Sequence, residues 1–208
     1  MIGVIDYGMG NLGSVMNILK RLRADARVVS VPEEAMQCDK LILPGVGAYD
    51  AGVQRLQAQG WWPVLQDFGT ELKRPVLGIC LGMQLMCRGS EEGVEAGLGW
   101  FPFVCQRLQP GRSADGQWYT VPHMGWKSIT VLQPDFPLLQ GHPEPWRFYF
   151  VHSFAITDTQ HPAIASTASF AEAPFAAVLW QEHLFGFQCH PEKSHQYGLA
   201  VYQQFINL

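Results

Sequence analysis

An α/β fold, with a central and mostly parallel sheet flanked by helices and antiparallel strands added in the second half, is what three features of this 208-residue chain predict. The first half alternates short β-branched runs with longer amphipathic ones, the order that gives parallel strands joined by crossover helices. The second half carries only short aromatic or β-branched runs broken by Gly, Pro or Asp, the pattern of hairpins. Between the halves lies a glycine-flanked turn, Gly78-Ile79-Cys80-Leu81-Gly82.

Taken in order, residues 2–6 read as a strand and 12–22 as a helix. Strands follow at 26–31 and 40–43, the second running into Pro44-Gly45. Residues 49–59 and 62–72 have helical periodicity. Residues 75–79 are a buried strand, and a helix runs from the glycine turn to about residue 88. The later strands are 104–108, 118–120, 126–131, 147–153, 163–169, 175–180 and 184–188. Residues 194–207 close as a helix with Ser194 as N-cap. No linker, repeat or low-complexity segment interrupts residues 1–208, which read as one domain.

Composition narrows the function. The formal charge is −4, with no Lys/Arg run, which argues against nucleic acid or an anionic membrane as partner. No apolar run approaches the roughly 20 residues of a membrane span, and the N-terminal strand lacks the basic flank of a signal peptide. The five cysteines are odd in number and show no C-x-x-C spacing. That points to reduced thiols in the cytoplasm and away from zinc. Cys38, Cys87 and Cys105 read as packing or surface residues.

Cys80 is different. It sits on a strand-to-helix turn with glycines two before and two after, the nucleophile-elbow pattern with Cys in place of Ser. Such a strained turn leaves no room for neighbouring Cβ atoms, and a helix N-terminus favours thiolate. A thiol nucleophile needs a base, and the base an orienting group. Of seven histidines, only His190 follows a strand and has a carboxylate two residues on, in His190-Pro191-Glu192. Residues i and i+2 of extended chain share a side, so Glu192 can hold the imidazole. Acyl transfer also needs an oxyanion hole. Leu81 N–H supplies one donor. Pro44-Gly45-Val46-Gly47, at the C-terminal end of a strand, offers a second, because the glycines let the Val46 peptide turn. Gly8-Met9-Gly10-Asn11-Leu12-Gly13 formally matches a dinucleotide fingerprint, but no acid ends the second strand, so it reads as a tight glycine turn.

Gly78-Ile79-Cys80-Leu81-Gly82-Met83-Gln84 and His190-Pro191-Glu192 resemble the class I (triad) glutamine amidotransferases. Four more stretches narrow the resemblance: residues 5–12, 43–48, 122–126 and 149–154. Together they are similar to the HisH group, the glutaminase subunits of imidazole glycerol phosphate synthase. The resemblance covers nearly all of the chain. It implies Cys80 as nucleophile, His190 as base and then acid, and Glu192 as orienter. It implies an oxyanion hole at Val46, Gly47 and Leu81, and a grip on glutamine by Gln84, His152, Ser153 and Phe154. It also implies a heterodimer with a HisF-type (β/α)8 cyclase subunit, which takes the ammonia and makes imidazole glycerol phosphate and AICAR in histidine biosynthesis. Asn11, Trp126 and Lys193 match its partner-facing positions, although an aromatic such as Trp126 is by itself more often core. No cofactor and no metal is implied. The chain departs from the pattern at Lys127, where Asn is usual, at Phe154 for Tyr, and at Cys189 for Phe. Those changes leave open a paralogue that supplies ammonia to another synthase, for instance one that amidinates a sugar. A stand-alone Cys-His hydrolase and an idle binding subunit are the other readings.

Overall fold

The computed structural model describes residues 1–114 and 116–208. The first half builds Ile2–Ile5 (β1), Leu12–Arg21 (α1), Ala26–Val29 (β2), Pro32–Ala35 (α2), Lys40–Leu43 (β3), Tyr49–Ala58 (α3), Trp61–Gln66 (α4), Val76–Ile79 (β4) and Leu81–Leu85 (α5). The second adds Cys87–Ser90 (β5), Phe101–Arg107 (β6), Gly111–Arg112 (β7), Trp118–Tyr119 (β8), His123–Ser128 (β9), Thr130–Val131 (β10), Arg147–His152 (β11), Phe154–Ala155 (β12), Ile164–Phe170 (β13), Ala173–Gln181 (β14), Leu184–Phe187 (β15) and His195–Asn207 (α6).

The main sheet runs β10-β13-β14-β15-β4-β3-β1-β2. Strands β2, β1, β3, β4 and β15 are parallel, while β14 pairs antiparallel with β15 on one side and with β13 on the other. Both faces of the parallel part are covered. Leu41 and Leu43 of β3 pack toward α3, α4 and α5, while Ile42 between them faces α1 and α6. That alternation buries β1, β4 and β15 completely. Each such fully buried aliphatic side chain stabilises the fold by roughly 2 kcal/mol.

Three neighbouring strands position the site. Leu43 of β3 lies opposite Gly78 of β4, and Ile79 lies opposite Phe187 of β15. The loops after β3, β4 and β15 therefore leave the sheet side by side.

Some local expectations fail. The helix after Cys80 stops at Leu85, and Cys87–Ser90 is a strand paired parallel with β6. Ser194 precedes α6, but its hydroxyl does not cap the helix. It donates instead to the His190 carbonyl at 2.7 Å and accepts from Tyr149 N–H at 3.0 Å. Trp126, matched to a partner-facing position, is 36% exposed and not in the core that its residue type alone would suggest, and it stacks on His195 with ring centres 5.3 Å apart. All five cysteines are free and buried, Cys38, Cys87 and Cys105 in packing positions.

Candidate active site

Cys80 follows β4 and heads α5 with φ 53° and ψ −109°, a left-handed backbone that L-residues avoid. Close packing enforces this turn. A Cβ on Gly82 would lie 1.8 Å from the Leu43 carbonyl oxygen, and one on Gly78 would lie 2.9 Å from the Met83 backbone. Gly82→Ala is therefore expected to destabilise the protein by about 3 kcal/mol or more. Urea unfolding reads this directly, and a variant as stable as the native chain would contradict the packing.

Downstream of β15, His190 Nδ1–H donates to Glu192 Oε1 at 2.7 Å, with both side chains almost fully buried. Its Nε2 is buried and makes no hydrogen bond in the resting protein, a looseness common before substrate binds. Burial pulls the imidazole pKa down, but its interactions with Cys80 and Glu192 outweigh that and raise it to about 10. At neutral pH the imidazole holds its second proton. The Ser194 hydroxyl, bonded to the His190 carbonyl, fixes the segment from behind.

The third loop spans residues 44–47. Tyr7, whose hydroxyl is buried, donates to the Pro44 carbonyl at 2.9 Å. Gly47 has φ 114°, which only glycine adopts without strain. Among the described residues neither Val46 N–H nor Gly47 N–H donates to the main chain. The Leu81 N–H heads α5, ahead of the first helical bond, from Gln84 N–H to the Cys80 carbonyl at 3.1 Å.

These groups open on one cleft of about 290 Å³, lined by Val46, Gly47, Cys80, Leu81, Gln84, Glu92, Pro122, Val151, His152, Ser153, Phe154 and His190. All the residues expected at the oxyanion hole and the glutamine grip thus line it, with Glu192 directly behind His190. Gln84 Nε2 donates to the Phe154 carbonyl at 3.1 Å and to Gln188 Oε1 at 3.0 Å. His152 Nδ1–H donates to the same carbonyl at 2.9 Å. Asn11, Trp126 and Lys193 lie outside the cleft and are exposed. Asn11 caps α1 by accepting from Ser14 N–H at 3.2 Å. Among the described residues no three His, Cys, Asp or Glu side chains gather as metal ligands would.

A family model for "Glutamine amidotransferase class-I" matches residues 3–207. The chain belongs to the class I glutamine amidotransferases. Within them it groups with the HisH subunits. It is 43% identical over 208 residues to "Imidazole glycerol phosphate synthase subunit HisH 2" of Pseudomonas aeruginosa, covering 100% of both chains. It is 42% identical to "Imidazole glycerol phosphate synthase subunit HisH" of Synechococcus sp., covering 99% of this chain and 93% of the relative. Its fold also matches a solved glutamine amidotransferase at TM-score 0.71 and 16% identity, over 99% of this chain and 97% of that one.

A charged cleft residue of this amidotransferase, and a buried residue that holds the 44–47 loop, escape the sequence reading. Glu92 reaches the rim because β5 carries the chain back beside β6, and its carboxylate accepts from Tyr49 N–H at 3.0 Å. Reading residues 80–88 as one helix hid that return. Tyr7 follows β1, and only the tertiary fold reveals its grip on Pro44. A tyrosine just past the end of β1 gives no such signal.

Proposed function

We propose that residues 1–208 act as one glutaminase domain that releases ammonia from glutamine through a thioester on Cys80. The observation that carries this reading is the convergence of three strand ends on one cleft, bringing thiol, paired imidazole and free main-chain donors together. The cleft is at the small end of ligand pockets, as a single amino acid needs. Cys80 Sγ attacks the side-chain amide carbon of glutamine. The negative oxygen that forms is held by N–H groups at Leu81 and at Val46 or Gly47. His190 gives its proton to the departing nitrogen, which leaves as ammonia. His190 then takes a proton from water, whose oxygen attacks the thioester, and the sulfur leaves as glutamate forms. Glu192 keeps Nδ1 protonated so that Nε2 always faces the reaction. The free carbonyl of Gln84 and the Glu92 carboxylate suit an α-ammonium group, and the 152–154 segment suits the α-carboxylate end.

We further propose that the protein works as a heterodimer with a HisF-type (β/α)8 cyclase subunit, and that it does so in the cytoplasm, where its five free cysteines stay reduced. Met124, at 63% exposure, and Trp126 face the same side of β9, an apolar pair suited to a docked barrel. Lys127, which departs from the usual sequence, lies 4.9 Å from the Tyr119 ring beside them.

The test is glutamate release by the protein alone, with a HisF-type barrel, and with the barrel plus its acceptor substrate. Expected is weak activity alone and a rise on the order of 10- to 100-fold in the liganded complex. Full activity without a partner would overturn the subunit reading in favour of a stand-alone hydrolase. Stimulation by a sugar-synthase acceptor, and none by the histidine-pathway substrate, would assign the paralogous branch. Trp126→Ala is expected to weaken the complex by about 2 kcal/mol, roughly 30-fold in Kd, with little change in Tm. Unchanged affinity in a binding titration would remove Trp126 from the interface.

A further inference from the structure

Behind the nucleophile lies a polar chain that the reaction as written does not use. Gln188 directly follows β15 and is completely buried, with its main-chain N–H on the Ala177 carbonyl at 3.0 Å. A buried amide in an apolar sheet needs partners for both its ends. The polarity of this chain is fixed from one end. The Phe154 carbonyl can only accept, so the Gln84 atom facing it at 3.1 Å is the amide nitrogen. That nitrogen's second hydrogen points to Gln188, so the Gln188 atom 3.0 Å away is the carbonyl oxygen. The Gln188 amide nitrogen is then left facing Cys80 Sγ, at 3.8 Å. A thiol has little use for a donor there, whereas a thiolate is a full acceptor.

We propose that Gln188 donates an N–H to the Cys80 thiolate, and that Gln84 and the Phe154 carbonyl lock the Gln188 amide in the orientation that makes this possible. The donor stabilises the sulfur's negative charge before glutamine arrives, and holds Sγ in the rotamer that faces the cleft. It also gives Gln84, a lining residue of the cleft, a second task as the group that orients Gln188. The proposal rests on reading Cys80 as the nucleophile.

The titration of Cys80 tests it. The other ionisable groups around the sulfur and its cleft are His190 and Glu192 beyond β15, Cys189 beside them, Tyr7 after β1, His152 from β11 and Glu92 after β5. Cys189 and Tyr7 are held neutral by burial. All six remain in a Gln188→Met variant, which nearly conserves volume. The pH dependence of Cys80 alkylation by iodoacetamide, followed by mass spectrometry on the full chain, needs neither glutamine nor turnover. Gln188→Met is expected to move the thiolate titration up by about one pH unit. Gln84→Met frees the Gln188 amide to rotate and is expected to move it by a smaller amount in the same direction. The double variant should move it no further than Gln188→Met alone. A merely structural role for Gln188 would lower Tm and leave the titration where it was, and that result overturns the proposal. If Gln188→Met fails to fold, an unmoved titration in Gln84→Met overturns it equally. Glutamate release by the native protein in its complex is measured alongside, so a failure of the glutaminase reading is seen separately.

Discussion

Cys80→Ala should abolish glutamate release, by at least about 10⁴-fold in kcat, while glutamine binding survives. Both chemical steps pass through the sulfur, so the loss falls on kcat. The groups that would hold glutamine are elsewhere in the cleft, on Gln84, Glu92 and the 152–154 segment. Ser153 also lines the cleft, but among the described residues no imidazole is hydrogen-bonded to it, so it offers no second nucleophile with a base. The measurement is glutamate release in the stimulated complex beside a calorimetric titration of glutamine. Activity above about a hundredth of the native rate would remove Cys80 from the chemistry, since a nucleophile that can be deleted so cheaply is not one. Glu192→Gln should fall in the same direction for a different reason. Its amide keeps the shape but drops the charge that steadies the His190 imidazolium, as in other triads.

Much of this was legible because it is local. The elbow, its glycines and the His-x-Glu spacing are all encoded within a few residues, and the strand-helix alternation needs only the period of the apolar positions. What escaped depends on distant chain. The apolar run through Met86 and Cys87 continues the helical pattern up to Gly89, yet Cys87–Ser90 becomes a strand because β6 offers a parallel partner. With it came Glu92. Ser194 obeys the N-cap position but finds better partners in His190 and Tyr149, so tertiary bonds win over the local rule. Trp126, placed at a partner-facing position by resemblance, also carries a local clue. Along β9 the side chains alternate, His123 inward and Met124 outward, and Trp126 shares the outward side with Met124. Composition suggests a core residue where period two already indicates a surface one. Gln188 gives no sign at all in the sequence, since a glutamine before a catalytic segment looks like any other.

Below about pH 6.5 the folded state should lose stability steeply, and the cause is a buried histidine pair with no room for a second proton. His152 Nδ1 faces the Phe154 carbonyl at 2.9 Å and must carry its hydrogen there. Its Nε2 is therefore a bare acceptor, 3.3 Å from His123 Nδ1, which must be the donor. His123 Nε2 is left bare in turn, buried without a partner among the rings of Phe150, Phe170 and Phe175. A proton added to His152 would meet the His123 N–H, and one added to His123 would be buried in apolar surroundings. Burial, reinforced by Lys127, lowers the His123 pKa to about 4. Burial and the charge of His123 lower His152 to about 3, against the pull of the Phe154 carbonyl. Unfolded histidine takes its proton near 6.5. Between those values the unfolded chain binds protons that the folded one refuses, so stability rises with pH there. It is fully present above about pH 6.5 and is lost as pH falls toward 4 and 3. At about 1.4 kcal/mol per unit and group, the pair alone removes about 5 kcal/mol by pH 4.5, a large share of an ordinary domain's stability. His190 acts at the other end. Its raised pKa contributes stability that is complete below about 6.5 and is lost as pH rises through about 10. Urea unfolding from pH 7.5 down to 4.5 reads the acid limb. His123→Phe should be less stable at pH 7.5, having lost the bond to His152, yet its profile should be flatter because one titrating group is gone. A native profile that is level from pH 7 to 5, or a variant with the native slope, would show that the pair accepts protons in the folded state. Since His152 lines the cleft, glutamine turnover should fade over the same acid limb and return when the pH is restored.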